Sequence, residues 1–184
     1  APFEKQKIKD ELTVNFLGTV SAVMDIDIID YDSCSAAGVN LVALRESLRK
    51  NKSGLIKNNL LGSDLDTWIG KVAQIESVND LNQWQSRNNA LAALGLEQGT
   101  LRQTLSSLIK QYGSARVGIV MGSSTSSIDR TETAYTDLDD HGALKPEFQQ
   151  SLVHNPHAPS LFVAHYTGID GPALTVNTAC SSSA

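Results

Sequence analysis

Residues 173–184 read Ala-Leu-Thr-Val-Asn-Thr-Ala-Cys-Ser-Ser-Ser-Ala, a short apolar run that stops at a cysteine and continues into serines. The run predicts a strand, Ala173–Ala179, that ends on Cys180, and the serines are typical of residues that begin a helix. A thiol at such a junction lies beside unpaired backbone N–H groups, which favour the nucleophilic thiolate and can hold an oxyanion. The alternative is a buried, inert cysteine that ends a strand.

Apolar runs alternate with helical patterns upstream of this segment. Val117–Met121 predicts a strand that is buried on both faces and opens into the polar loop Gly122–Ser127. Apolar residues at helical spacing indicate helices that begin near Asn40, Ser86, Thr100 and Pro159. This alternation predicts an α/β fold with a mainly parallel sheet flanked by helices.

Local signals predict several boundaries and shorter elements. Asn40 is expected to cap the first helix and Gly54 to close it, and Gly113 is expected to end the helix over Thr100–Tyr112. The weaker patterns predict strands near Ile26–Ile28 and Val72–Ile75, a short helix at Phe148–Leu152 and a solvated loop at Asp129–Asp140.

The composition excludes several classes of protein. The 184 residues are 41% hydrophobic and 19% charged, which is typical of a globular chain rather than a disordered one. The net charge of -5 gives no basic excess for nucleic acid, and no apolar run is long enough for a membrane span. Cys34 and Cys180 are too few and too far apart for a disulfide framework, so a reducing compartment, the cytoplasm, is expected.

The sequence does not favour a phosphate-binding loop or a metal site. The Gly122–Ser127 loop offers amides and hydroxyls but lacks the Gly-Lys-Ser/Thr ending of a phosphate-binding P-loop. His154 and His157 are close in sequence but have no third ligand beside them, so no metal site is predicted. All four histidines are interpreted as structural.

The cysteine segment resembles the active-site segment of the β-ketoacyl synthases, the condensing enzymes of fatty-acid and polyketide synthesis. Further stretches are similar to this family: Arg116–Ile128 to its strand and Gly-Ser-Thr loop, and Ser35–Leu41 with Asn51–Leu55 to its opening strand, turn and helix. Trp84–Leu91 is similar to synthases of the aryl-polyene type. The resemblance implies a thiolase-like fold, of which the chain holds the N-terminal half only.

The resemblance also implies roles for individual residues. Cys180 would receive an acyl group from the thioester of an acyl carrier protein, with its own amide as one oxyanion donor. Gly122, Ser123 and Thr125 would line the acyl pocket. The family then extends the chain by decarboxylative condensation with a malonyl thioester, using histidines and a lysine that follow the cysteine beyond Ala184. No metal or organic cofactor is implied.

The resemblance further implies partners. The synthase would work as a homodimer or as a heterodimer of ketosynthase subunits. Carrier proteins are usually acidic, so the basic residues of the first helical region are the expected docking face: Arg45, Arg49, Lys50 and Lys52. The acidic run Asp129–Asp140 is an unlikely one.

We expect two parts in the chain: a leader or extension at residues 1–23 and a truncated N-terminal ketosynthase domain at 24–184. The chain alone is expected to be inactive in condensation. The alternatives are another thiolase-like acyltransferase that uses the same cysteine, or a non-catalytic partner subunit of the chain-length-factor kind. Such partners usually lack the cysteine, so Cys180 argues against the last alternative.

Overall fold

The computed structural model describes residues 26–60, 63–72, 75 and 81–182. Its α-helices are Leu41–Arg49 (α1), Arg87–Leu96 (α2), Leu101–Tyr112 (α3), Ile128–Thr136 (α4) and Ala158–Thr167 (α5). Its strands are Leu55–Lys57 (β1), Trp68–Gly70 (β2), Ile119–Gly122 (β3) and Ala173–Val176 (β4). Short 3₁₀ turns lie at Asn82–Trp84, Ser114–Arg116, Pro146–Phe148 and Ala179–Ser181. Within these ranges no helix is long and apolar enough to cross a membrane.

Contacts divide the chain between Tyr31 and Asp32, and the helices and strands named above all lie in the unit Asp32–Ala184. The predicted strand at Ile26–Ile28 is wrong, because these residues have no regular structure and both isoleucines are exposed. An alternating pattern becomes a strand only where a neighbouring strand accepts its backbone hydrogen bonds. The expected leader, residues 1–23, lies outside the described residues and stays a prediction.

The predicted helices near Asn40, Ser86, Thr100 and Pro159 are confirmed, because their signals are local. Asn40 accepts the Ala43 N–H at 2.9 Å through its side chain, and Ser86 caps α2 in the same way. Gly113 ends α3 with φ of 89°, a backbone conformation that favours glycine.

The end of α1 differs from the prediction. The helix stops at Arg49, because Asn51 takes a left-handed conformation with φ of 50°. Gly54 therefore does not close the helix. It allows two backbone segments to approach closely, since a Cβ atom at Gly54 would lie 2.4 Å from the Ala36 carbonyl oxygen.

Strands β1 and β2 form an antiparallel pair in a region that the sequence left largely irregular. Leu55 lies opposite Gly70 and Lys57 opposite Trp68, where the Lys57 ammonium stands 5.2 Å from the centre of the Trp68 ring. The strand predicted near Val72–Ile75 is wrong at its described ends, because the Ile75 N–H donates to the Val72 carbonyl in a turn.

Strands β3 and β4 form the predicted parallel pair, with Ile119 opposite Ala173 and Gly122 opposite Val176. Helix α5 packs on both strands and α2 packs on α5. The buried apolar cluster between them contains Trp84, Ala93, Ile119, Phe162, Val163 and Ile169. Phe162 is 1% exposed, and burying a side chain of this size contributes about 2–3 kcal/mol.

The prediction that Val117–Met121 is buried on both faces is wrong. Successive strand side chains point to opposite faces, so α5 covers Ile119 but not its neighbour Val120. Val120 is 74% exposed and Leu174, which lies opposite it in the register, is 55% exposed.

Two predictions between β3 and α5 are also wrong. The expected acidic loop contains a helix, α4, whose only fully buried apolar residue among those described is Ala134, too little to give a visible hydrophobic period. The expected helix at Phe148–Leu152 is instead the 3₁₀ turn Pro146–Phe148, because Pro146 supplies a fixed φ that starts the turn earlier.

Candidate active site

Cys180 is the middle residue of the 3₁₀ turn Ala179–Ser181, not the end of a strand as the sequence predicted. Strand β4 ends at Val176 because the backbone of Thr178 is engaged by serines. The Thr178 N–H donates to the Ser182 hydroxyl oxygen at 2.9 Å, and the Ser181 hydroxyl donates to the Thr178 carbonyl at 2.8 Å. These bonds close the turn and end the strand.

The turn contains a left-handed residue directly before the cysteine. Ala179 has φ of 55°, a conformation that costs a residue with a Cβ atom about 1 kcal/mol or more. The Cys180 side chain that follows it is exposed. Ser182 already has helical dihedral angles, but the helix predicted after Cys180 lies outside the described residues.

Cys34 provides the contrast within the same chain. Its side chain is half-buried between the turn at Ser35–Gly38 and α2. Burial raises the pKa of the Cys34 thiol, and the nearby Asp32 carboxylate raises it further. Both effects keep Cys34 as a neutral thiol.

The polar loop after β3 lies directly against the Cys180 turn. Gly122 pairs with Val176, and the Ser123 N–H donates to the Val176 carbonyl at 3.0 Å. The Ser182 hydroxyl is shared between the Ser123 carbonyl, 2.9 Å away, and the Ala179 carbonyl, 2.7 Å away. The fold therefore brings Gly122 and Ser123, both predicted as pocket residues, to the cysteine segment.

Thr125, the third predicted pocket residue, is exposed, and its carbonyl accepts the Ile128 N–H at 3.2 Å where α4 begins. That bond joins it to α4 rather than to the cysteine turn.

Two residues of this site were not predicted from the sequence. When the Asn177 amide is oriented with its nitrogen towards the loop, that nitrogen donates to the Ser123 carbonyl at 2.9 Å and to the Ser124 carbonyl at 2.7 Å. Ser126 is 5% exposed and left-handed, with φ of 49°. For Asn177, the one signal in the sequence was a polar residue at the end of an apolar strand. Ser126 had no such signal, because it lies in a run of hydroxyl residues.

Two of the four histidines, His154 and His165, make contacts that suit a structural role. His154 lies 2.7 Å from both the Thr131 hydroxyl and the Phe148 carbonyl. Because a carbonyl only accepts, Nε2 carries a proton and donates to Phe148, while Nδ1 faces the Thr131 hydroxyl. His165 stacks on Trp84 with ring centres 5.6 Å apart. Over the described ranges, no group of three or more acidic, histidine or cysteine side chains is placed to hold a metal ion.

A family model, the N-terminal domain of β-ketoacyl synthases, matches residues 84–184, more than half of the chain. The chain belongs to the β-ketoacyl synthase family. The matched part of this ketosynthase domain contains α2, both strands of the parallel pair and the Cys180 turn. The thiolase-like fold expected from the sequence is thereby confirmed for a partial domain.

A solved structure supports the same assignment for this ketosynthase domain. The chain is similar to a chain in the structure of the ketosynthase ApeO in complex with its chain length factor ApeC, from Xenorhabdus doucetiae. The identity is 25% and the TM-score 0.60, and the match covers 81% of this chain but 38% of that one. No curated protein matches the sequence significantly.

Proposed function

We propose that Cys180 is the acyl-accepting nucleophile of a β-ketoacyl-carrier-protein synthase, of which this chain is the N-terminal part. One observation carries the proposal: an exposed thiol sits in a turn that hydrogen bonds hold against the Gly122–Ser127 loop, within a domain of a condensing-enzyme family. The strained residue Ala179 supports it, because left-handed non-glycine residues concentrate at functional sites.

The proposed reaction begins with acyl transfer. The Cys180 thiolate attacks the carbonyl carbon of a carrier-protein thioester, a tetrahedral oxyanion forms, and the carrier thiolate leaves with its electron pair. Within the turn, the N–H groups of Ser181 and Ser182 are bonded to the Thr178 and Ala179 carbonyls. We therefore assign the Cys180 N–H to the oxyanion.

The second step belongs to the complete enzyme. A malonyl thioester loses CO₂, and the resulting carbanion attacks the acyl carbon on Cys180. A carbon–carbon bond forms, the bond between sulfur and acyl carbon breaks, and the Cys180 thiolate is restored. We place Gly122, Ser123 and Thr125 along the acyl pocket, because Gly122 and Ser123 lie against the cysteine segment.

The proposal also includes the oligomeric state, the pathway and the cellular compartment of the enzyme. The likeness to a structure of a ketosynthase with its chain length factor supports a heterodimer of ketosynthase subunits, with a homodimer as the alternative. The proposed pathway is fatty-acid or polyketide synthesis, and the resemblance of Trp84–Leu91 to synthases of the aryl-polyene type favours that branch. Both cysteines are free thiols, in keeping with the reducing cytoplasm.

An acyl carrier protein is the proposed partner, and α1 the proposed docking face. Arg45 and Arg49 are exposed one helical turn apart on α1. Reversing both charges in Arg45→Glu/Arg49→Glu should weaken carrier-protein binding about tenfold at low salt, measured by titration calorimetry. The matched control, Lys110→Glu/Arg116→Glu, changes the net charge equally outside α1. Equal weakening by both pairs would remove α1 as the docking face.

The test of the nucleophile is acyl transfer to the chain itself. The 184-residue protein is incubated with an octanoyl carrier-protein thioester, and the adduct is located by peptide mass spectrometry. Cys180→Ala should abolish the adduct, whereas Cys34→Ala should leave it unchanged, because Cys34 is a half-buried, protonated thiol. An adduct on Cys34, or none in the unaltered chain, would overturn the proposal.

A further inference from the structure

Ser126 has a buried position and an unusual backbone. It is 5% exposed and left-handed, a conformation in which serine is less favourable than glycine or asparagine. Its hydroxyl donates to the Pro156 carbonyl at 2.7 Å, and its N–H donates to the Ser123 hydroxyl at 2.8 Å. Its carbonyl accepts from the Asn88 side chain on α2. Ser126 is therefore bonded to α2, to the segment before α5 and to its own loop.

The loop that Ser126 fixes holds the chain on both sides of Cys180. Before the cysteine, the Val176 carbonyl accepts the Ser123 N–H, and the Asn177 amide donates to the Ser123 and Ser124 carbonyls. After it, the Ser182 hydroxyl is shared between the Ser123 and Ala179 carbonyls.

We propose that Ser126 is a positioning residue for Cys180: its hydroxyl anchors a left-handed turn whose backbone N–H and carbonyl groups clamp the segment Val176–Ser182. The clamp is needed because Ala179 is strained, and a strained turn persists only where surrounding bonds over-determine it. The inference rests on the proposed function for its catalytic meaning, since positioning matters only if Cys180 reacts.

Ser127 supplies a matched control. It is 2% exposed, and its hydroxyl donates to the Ser86 hydroxyl at 2.8 Å, at the beginning of α2. Ser127→Ala removes a buried hydroxyl of the same size from the neighbouring residue. That hydroxyl bonds to Ser86 rather than to Pro156, so a general loss of stability is separated from a loss of the Ser126–Pro156 anchor.

The clamp is tested by hydrogen–deuterium exchange of the full chain, followed by mass spectrometry of peptides that cover 173–182. Ser126→Ala should make this segment exchange about tenfold faster. Ser126→Gly removes the same hydroxyl but relieves the left-handed strain, so it should melt at a higher temperature than Ser126→Ala and still exchange faster than the unaltered chain. Ser127→Ala should leave the exchange of 173–182 unchanged.

Two outcomes would overturn the clamp: wild-type exchange in Ser126→Gly, or equally faster exchange in Ser127→Ala. Both comparisons remain decisive if Ser126→Ala fails to fold. Acyl transfer to Cys180 is measured in parallel and should fall about tenfold in Ser126→Gly, whereas alkylation of the exposed thiol by iodoacetamide should not change. If the unaltered chain takes no acyl group, the proposed function fails while the exchange data still decide the clamp.

Discussion

The two cysteines of the chain lie in opposite surroundings. Cys180 is exposed, in a turn held by serine hydroxyls and preceded by a strained alanine. Cys34 is half-buried beside Asp32, and burial raises the pKa of its thiol. Since only the thiolate is nucleophilic, the difference shows how one residue type becomes a candidate nucleophile in one place and a packing residue in another.

The largest expected effect on the difference between the two cysteines comes from truncating a buried core side chain. Phe162→Ala removes a fully buried ring that packs against Trp84 and should lower the free energy of unfolding by about 3–5 kcal/mol. In urea, alkylation of Cys34 by iodoacetamide should then become as fast as that of Cys180 at a lower urea concentration than in the unaltered chain. Tyr112→Ala, which truncates a half-exposed ring, is the control and should shift the midpoint little. Equal shifts would show that the protection of Cys34 does not depend on this core.

A smaller effect is expected at the strained turn. Ala179→Gly should raise the free energy of unfolding by about 0.5–1 kcal/mol, because glycine adopts a positive φ without strain. Ala43→Gly, in the first turn of α1, is the matched control and should lower it by a similar amount. Urea unfolding measures both. Destabilisation by Ala179→Gly would mean that the left-handed conformation carries no strain.

The smallest effect concerns the pH dependence of Cys34. Because the pKa of the Cys34 thiol is raised, its thiolate forms at higher pH than that of a free cysteine. The rate of Cys34 alkylation should therefore rise at higher pH than the rate for a free cysteine. Asp32→Asn removes the lesser of the two causes and keeps an oxygen for the Leu41 N–H, so the midpoint should move a little to lower pH. A midpoint that does not move would exclude Asp32 as a cause.

The sequence predicted those parts of the fold whose signals are local. Helix α1 follows from an apolar period and the Asn40 cap, and the end of α3 follows from Gly113. Strand pairing is not local, so Ile26–Ile28 looked like a strand although its isoleucines are exposed. Helix α4 was missed because its single buried alanine leaves no period to detect.

The candidate site was predictable to the same extent. Cys180 and the Gly122–Ser127 loop were recognisable as motifs, and the fold brings them together. The clamp was not recognisable, because Ser126 meets Asn88 and Pro156 across 38 and 30 residues of sequence. Its left-handed backbone was equally hidden, since a run of serines and threonines does not indicate which residue takes a positive φ.

The contrast between the two cysteines is tested most directly by competition within one molecule. The folded chain is treated at neutral pH with a limiting amount of a cerulenin-like epoxide, which alkylates the nucleophilic thiols of condensing enzymes, and peptide mass spectrometry gives the ratio of adducts. The account predicts modification of Cys180 with little on Cys34, and a loss of that preference in urea. Equal modification of both cysteines in the folded chain, or a preference for Cys34, would contradict it.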